Sequence, residues 1–255
     1  MLWNPEQYSR FERERLAPAL DLLQSVPIMR IGLVADLGCG TGVILPYIRD
    51  RSPEARIIAL DHDAQMLQVA RSQAYADHYV QCRIEDWLPD EKLDLIFSNA
   101  AFHWLPDQKA AIDRCLSFLN PGGVLAVQIP DNWGEPSHHN LYTLARSERW
   151  QKVLEQNIFQ PSRHDSQDYY RWCKDCSASV RVWETRYLHY FEEAQDIVEW
   201  MKGTSLGQIL ALLGPEDQKV FLGEYTGLIV RDYPPMAEGQ VAFPFRRIFL
   251  CAIKK

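Results

Sequence analysis

At 255 residues, with 47% hydrophobic, 11% aromatic and 24% charged side chains, the chain has the makings of an ordinary globular protein with a sizeable core, which excludes collagen-like, low-complexity and largely disordered classes. The formal charge of −7, with Lys and Arg scattered and no dense basic run, argues against a nucleic-acid partner and favours small or neutral substrates. No window reaches the roughly 18 unbroken apolar residues of a membrane span, and the polar start MLWNPEQYSRFERERL lacks the apolar stretch of a secretory leader, so a cytoplasmic location without a membrane partner is expected.

The first segment, 1–30, spaces Tyr8, Phe11, Arg15, Pro18 and Leu22 three or four residues apart, which predicts one apolar stripe on a helix, or on a helix with an early break. Arg15 falls inside that stripe, where an arginine either snorkels to a carboxylate or points into an anion-binding site. The run IGLVADL at 31–37 has strand character without alternation, as a parallel strand covered on both faces requires. A helix over 42–51, the strand ARIIAL before Asp61, a helix over 64–74 and the short strand HYVQC follow. The strand LDLIFSN ends at Asn99, a helix over 108–119 stops at Asn120, Pro121 and Gly122, and GVLAVQI makes the next strand. This strand-then-helix rhythm predicts an α/β fold with a doubly wound parallel sheet.

After Pro130 the texture changes to DNWGEPSHHN, and two helical stretches, 141–157 and 165–175, have no strand between them, which predicts a helical cap inserted over about 131–178 within one domain spanning 1–255. Strand signal returns in SVRVWETRYLHYF, helices follow over 192–201, 206–213 and 215–231, and VAFPFRRIFLCAIK closes the chain. Of six cysteines, only Cys173 and Cys176 are close in sequence; without a second pair or histidine ligands they read as two helix positions, and no metal is expected.

The densest chemical signal is VADLGCGTG, where a hydrophobic strand carries Asp36 into Gly38, Cys39, Gly40 and Gly42 ahead of a helix. Glycines there let the backbone approach a ligand, and the helix N-terminus offers free N–H groups. Dinucleotide sites use G-x-G-x-x-G, whereas this loop is G-x-G-x-G with an acid two positions before it. Asp36 suits a cationic amino group, which an amino-acid-bearing cofactor such as S-adenosylmethionine has and a pyrophosphate lacks. Asp61, at the end of the second strand with His62 beside it, can take both ribose hydroxyls, and Met66 one turn on can pack against a purine. Glu85, Asp86 and Trp87 suit an adenine clamp, with Asp86 accepting from the exocyclic amine and Trp87 covering the ring. Asn99 to Trp104, after the fourth strand, occupy the end of the sheet where such folds present reacting groups.

Through DLGCGTG, the acid of LDHD, EDW and SNAAFHWLPD, the sequence resembles the class I S-adenosylmethionine-dependent methyltransferases. The resemblance implies a Rossmann-like sheet of seven strands in which the last, here over 241–254, inserts antiparallel, and it implies S-adenosylmethionine as cofactor. The stretches WNPEQYSRF, NWGEP, MKGTSL and EYTGLI are similar to members of that family that methylate trans-aconitate, so that the similarity spans nearly the whole chain. It implies methyl transfer to a carboxylate oxygen of a small polycarboxylic acid, giving a monomethyl ester; carboxyl methylation of an acyl-carrier thioester and methylation of another small molecule are the alternatives. A polycarboxylate calls for arginine anchors, for which Arg15, Arg149, Arg163 and Arg246 are candidates, with Trp3, Tyr8, Trp104 and Trp133 as apolar wall and lid. His103 reads as general base, as hydrogen-bond donor to substrate or as a structural partner in its loop, and Trp104 as its companion in positioning. No obligate protein partner is evident.

Overall fold

The computed structural model describes residues 12–27, 30–154 and 163–255. Its seven strands are β1 (Leu33–Leu37), β2 (Arg56–Asp61), β3 (His78–Gln81), β4 (Leu93–Asn99), β5 (Leu119–Pro130), β6 (Ser177–Phe191) and β7 (Val241–Lys254). They form one sheet in the order β3-β2-β1-β4-β5-β7-β6. Neighbours run parallel except β7, which pairs antiparallel with both β5 and β6. Every residue of β1 is buried, because helices cover both faces of the central strands, and this is why its sequence lacks alternation. The longer β6 lies at the sheet edge, and its exposed positions alternate as a half-solvated strand requires. The winding direction reverses between β1 and β4, which leaves a crevice beyond their carboxyl ends.

One face of the sheet packs on helices α1 (Glu12–Ser25), α2 (Leu45–Arg51) and α3 (Ala64–Gln73), through side chains such as Leu22, Ile48, Leu67, Val34 and Phe97. Helix α1 runs on through Pro18 and turns Arg15, Ala19 and Leu22 inward, the stripe read from the sequence; Tyr8 and Phe11 lie outside the described side chains. Helix α3 is capped by Asp63, whose carboxylate accepts from the Gln65 and Met66 N–H groups, satisfying donors a helix start leaves open. The opposite face packs on α4 (Gln108–Phe118), with Ile112 and Cys115 against Ile96, Leu125 and Leu250.

The helical cap differs from the expected one. Helix α5 (Pro136–Ala145) begins five residues earlier than 141 because Pro136 sits in its first turn, where a missing N–H and a fixed φ do no harm, and it breaks before α6 (Glu148–Leu154). These two join α8 (Ala194–Lys202), α9 (Ser205–Leu210) and α10 (Pro215–Asp232) around a second core built on Trp150, Trp200, Phe221, Tyr225 and Phe243. Polar ties fasten α5 to α10: the Tyr225 hydroxyl donates to the Ser137 carbonyl, the Ser137 N–H donates to the Tyr233 hydroxyl, and Asn140 donates to Asp232. Helix α7 (Ser166–Cys173), assigned to the cap from sequence, instead lies on the sheet: Tyr169 and Cys173 join the α4 side of the core, and the Tyr169 hydroxyl donates to Gln108 at 2.5 Å. An amphipathic stripe shows that a helix must bury one face, but not which of two cores receives it.

Candidate active site

The crevice holds a cavity of about 510 Å³, within the roughly 300–1,000 Å³ of small-molecule sites. One end is formed by Gly38, Gly40, Asp61, Met66, Glu85 and Asn99, the other by Arg15, His103, Trp133, His138, Trp200 and Arg247. Strand ends of the sheet supply the first group; α1, the cap and β7 supply most of the second.

At the first end, Asp36 is the penultimate residue of the fully buried β1, and its Oδ2 has no hydrogen-bond partner among the described residues. Burial, helped by the charge of Asp61, pushes its carboxyl up to about 8. The chain then turns through Gly38 and Gly40 at φ +75° and +55°, and the Gly38 and Cys39 N–H groups both donate to the Leu60 carbonyl. A Cβ on Gly38 would overlap the Cβ of Ala101, whereas nothing stands within 4 Å of the Cβ position of Gly40, which faces the cavity. The loop is thereby locked on one side and open to a close backbone approach on the other. Asp61 is anchored by the N–H groups of Gly40 (2.8 Å, to Oδ2) and Asp63 (2.9 Å, to Oδ1), and still lines the cavity with lone pairs to spare. His62 lies 3.4 Å from Asp61 Oδ1, and this contact raises its pKa.

An orphaned buried carboxylate, a bare glycine cradle and an anchored second carboxylate fit a cofactor that carries an ammonium group and a ribose. Asp36 would hold the ammonium, Asp61 the hydroxyls, and Met66 and Glu85 line the wall beyond them. Asn99 also lines it, with a buried, unpartnered Oδ1. Asp36, Cys39 and Gly42 are not cavity-lining; Asp36 is buried at 1% exposure, and the other two shape the turn, Gly42 at φ +81° packing close to Ala70. The adenine-clamp expectation is corrected in part. Trp87 is buried in the core edge-on to Phe118 at 6.2 Å, and Asp86 is exposed outside the cavity, so Cys82, Arg83, Ile84 and Glu85 form that wall.

At the second end, a 3₁₀ turn at Phe102–Trp104 delivers His103 and Trp104 to the cavity. His103 is buried, its Nδ1 has no hydrogen-bond partner among the described residues, and burial, reinforced by the charge of Arg247, depresses its pKa to about 3. His138 is likewise held to about 3 by burial and by Arg163. Both imidazoles are neutral at any ordinary pH. Of the arginines singled out, Arg15 reaches the cavity and stacks over Trp200. Arg149 does not: it lies over Trp150 and pairs with Glu224 at 3.0 Å on the surface, a fastening of α6 to α10. Arg246 points away to Glu184 at 2.6 Å, and the exposed Arg163 lies over Trp133 outside the lining. Trp104 and Trp133 line the cavity, and Trp3 lies outside the described residues, as does Tyr8.

Sequence reasoning missed Arg247, His138, Trp200, Ser205 and Gln208. Arg247 had a signal: Val241, Phe243 and Phe245 share one face of β7 by alternation, and parity puts Arg247, not Arg246, on that buried face.

Comparison with known proteins gives the same outline. A family profile described as a methyltransferase domain matches residues 35–127. The trans-aconitate 2-methyltransferase of Rhizobium rhizogenes is 40% identical over 256 residues, covering 100% of both chains, and that of Escherichia coli is 38% identical over 98% of this chain and 97% of its own. Phosphoethanolamine N-methyltransferase 2 of Haemonchus contortus, solved with S-adenosyl-L-methionine, shares the fold at a TM-score of 0.55 and 15% identity, over 93% of this chain and 52% of that one.

Proposed function

Because the chain belongs to the trans-aconitate 2-methyltransferase family, and with it to the class I S-adenosylmethionine-dependent methyltransferases, we propose that it transfers a methyl group to a carboxylate oxygen of trans-aconitate and releases the monomethyl ester. The observation that supports this reading most directly is the division of charge within one cavity: Asp61 stands at the glycine-loop end, where Glu85 is paired with Arg83 at 2.6 Å, and Arg15 and Arg247 stand at the other. A cationic cofactor suits the first end and an anionic acceptor the second. The methyltransferase is in the same reading cytoplasmic, which its six free thiols support.

Bound S-adenosylmethionine supplies an electrophilic methyl group on a sulfonium. Asp36, with its buried unpartnered Oδ2, would hold the ammonium, Asp61 would hold the ribose hydroxyls, and the glycine loop would let the backbone come close. Trp104, Trp133 and Trp200 wall the acceptor end with apolar surface. An acceptor carboxylate with a pKa of about 4 is ionised at neutral pH, so no residue has to remove a proton from it. His103 accordingly serves as a neutral positioning group; with its pKa at about 3 it is a poor base. Orientation in the walled cavity is the chain's main contribution to the rate.

Incubation with methyl-labelled S-adenosylmethionine and trans-aconitate is expected to yield label that mild alkali releases as methanol, at a rate nearly flat above about pH 6. His103→Ala is expected to lower kcat roughly tenfold and leave that pH profile unchanged. An alkali-stable methyl group, or a rate that climbs tenfold per pH unit and goes flat in His103→Ala, would overturn the ester reading.

A further inference from the structure

Two arginines enter the acceptor end from different elements, Arg15 from α1 and Arg247 from β7. Both are buried, at 6% and 3% exposure. Each guanidinium lies over one ring of an aromatic pair: Arg15 is 4.8 Å from the Trp200 centroid and Arg247 is 4.7 Å from that of Phe245, and the two rings stand 5.6 Å apart. Stacking through its face fixes the plane of a guanidinium while its N–H donors remain at the edge, the geometry that grips a carboxylate with two parallel bonds. Arg247 is aimed by a further contact, Nη1 donating at 3.1 Å to Oε1 of Gln128, a wholly buried residue of β5. Among the described residues that line the cavity, the carboxylates are Asp61 and Glu85, both at the glycine-loop end. The field of Arg247 also helps keep His103 neutral, so among the described residues of the acceptor end Arg15 and Arg247 carry the positive charge.

Resting on the methyl-transfer reading above, we propose that Arg15 and Arg247 form a two-armed clamp for the two acceptor carboxylates that do not react, so that the site selects tricarboxylates, and that Gln128 is the positioning residue for the Arg247 arm. A dicarboxylate engages one arm and a monocarboxylate engages neither, so each loses the bidentate contacts that the missing carboxylate would make. Neutral His103 adds a donor without a third charge.

The test compares unsaturated tri-, di- and monocarboxylates (trans-aconitate, fumarate and crotonate) on the full-length protein and four variants, with S-adenosylmethionine affinity by calorimetry as the readout of folding. Arg247→Met is expected to raise the KM for trans-aconitate by about 100-fold, to change kcat far less, and to leave the already weak use of crotonate as it was. Arg15→Met is expected to do the same. Arg247→Lys keeps the charge but loses the planar fork and is expected to fall between, while Gln128→Leu raises the trans-aconitate KM about tenfold with crotonate unaffected. Equal losses on all three acids, or an unchanged trans-aconitate KM in variants that bind cofactor normally, would overturn the clamp and leave the methyl-transfer reading standing. Arginine-dependent binding of trans-aconitate without its methylation would uphold the clamp and overturn that reading.

Discussion

With Asp36 as the proposed ammonium acceptor, a single buried residue would tie cofactor capture to proton balance. Burial and the neighbouring Asp61 raise its carboxyl to about 8, so at neutral pH it is largely protonated until a cation shares its site. An ammonium group there restores the ordinary order, and binding at pH 7 is then expected to release close to one proton. Calorimetric titration with S-adenosylmethionine in two buffers of different ionisation enthalpy reads this directly. The release should fade above about pH 9 and vanish in Asp36→Asn, which should also bind far more weakly. The same raised pKa means that ionising Asp36 destabilises the free protein as pH climbs from about 4 to 8, so Asp36→Asn is expected to melt higher than the parent at pH 8. Equal heats in the two buffers would remove Asp36 from the ammonium site.

At the scale of elements, the site depends on how closely the β1–α2 loop and the turn after β4 approach each other. Gly38 at φ +75° leaves no space for a Cβ against that of Ala101, and Ala100 just before it holds φ +55°, a conformation few alanines adopt. Gly38→Ala is therefore expected to destabilise by about 1–3 kcal/mol through overpacking, with about 1 kcal/mol more from the backbone. Ala101→Gly should recover most of the overpacking part and none of the backbone part. Urea denaturation of the two single variants and the double variant measures the coupling, expected at about 1–3 kcal/mol; strict additivity would mean the loops part without resistance. The antiparallel β6–β7 pair shows the same dependence, since parity along β7 decides that Arg247 enters the cavity while Arg246 pairs with Glu184.

Over the whole molecule, buried histidines set the acid limit. Burial holds His103 and His138 to about 3 and His189 to about 4, with Arg247 adding to the effect on the first and last and Arg163 on His138. Each is depressed below the ordinary value of about 6.5, so the unfolded chain takes up protons that the folded one refuses, and stability falls as pH drops from about 6.5 towards 4. Asp36 acts in the opposite sense over the same window, being protonated in the folded state and ionised in the unfolded one. Three histidines against Asp36, with Asp131 also raised by burial and acting alongside it, leave a net slope on the order of 2 kcal/mol per pH unit near pH 5. Urea midpoints at pH 7, 6 and 5 should fall with increasing steepness, and a flat profile would show that these imidazoles are protonated in the folded protein.

The chain by itself determined what depends on local spacing: the parallel βα rhythm, the acid–glycine loop with Asp36 and Gly40, and Asp61 at the end of β2, because backbone conformation and the chemistry of strand ends are set within a few residues. What it could not determine was which distant surfaces meet. Trp87 was legible as an aromatic after an acidic pair, yet whether it faces cofactor or core depends on Phe118 across the α4 layer. Arg149 looked equivalent to Arg15 as a candidate anchor, but it pairs with Glu224, 75 residues on, at the surface. The cap drew helices from both sides of β6 while α7 settled on the sheet, since apolar stripes are interchangeable along the chain and only packing chooses between two cores. Arg247, aimed by a glutamine 119 residues away, belongs to the site for the same reason: a buried cation is held by contacts that sequence distance does not display.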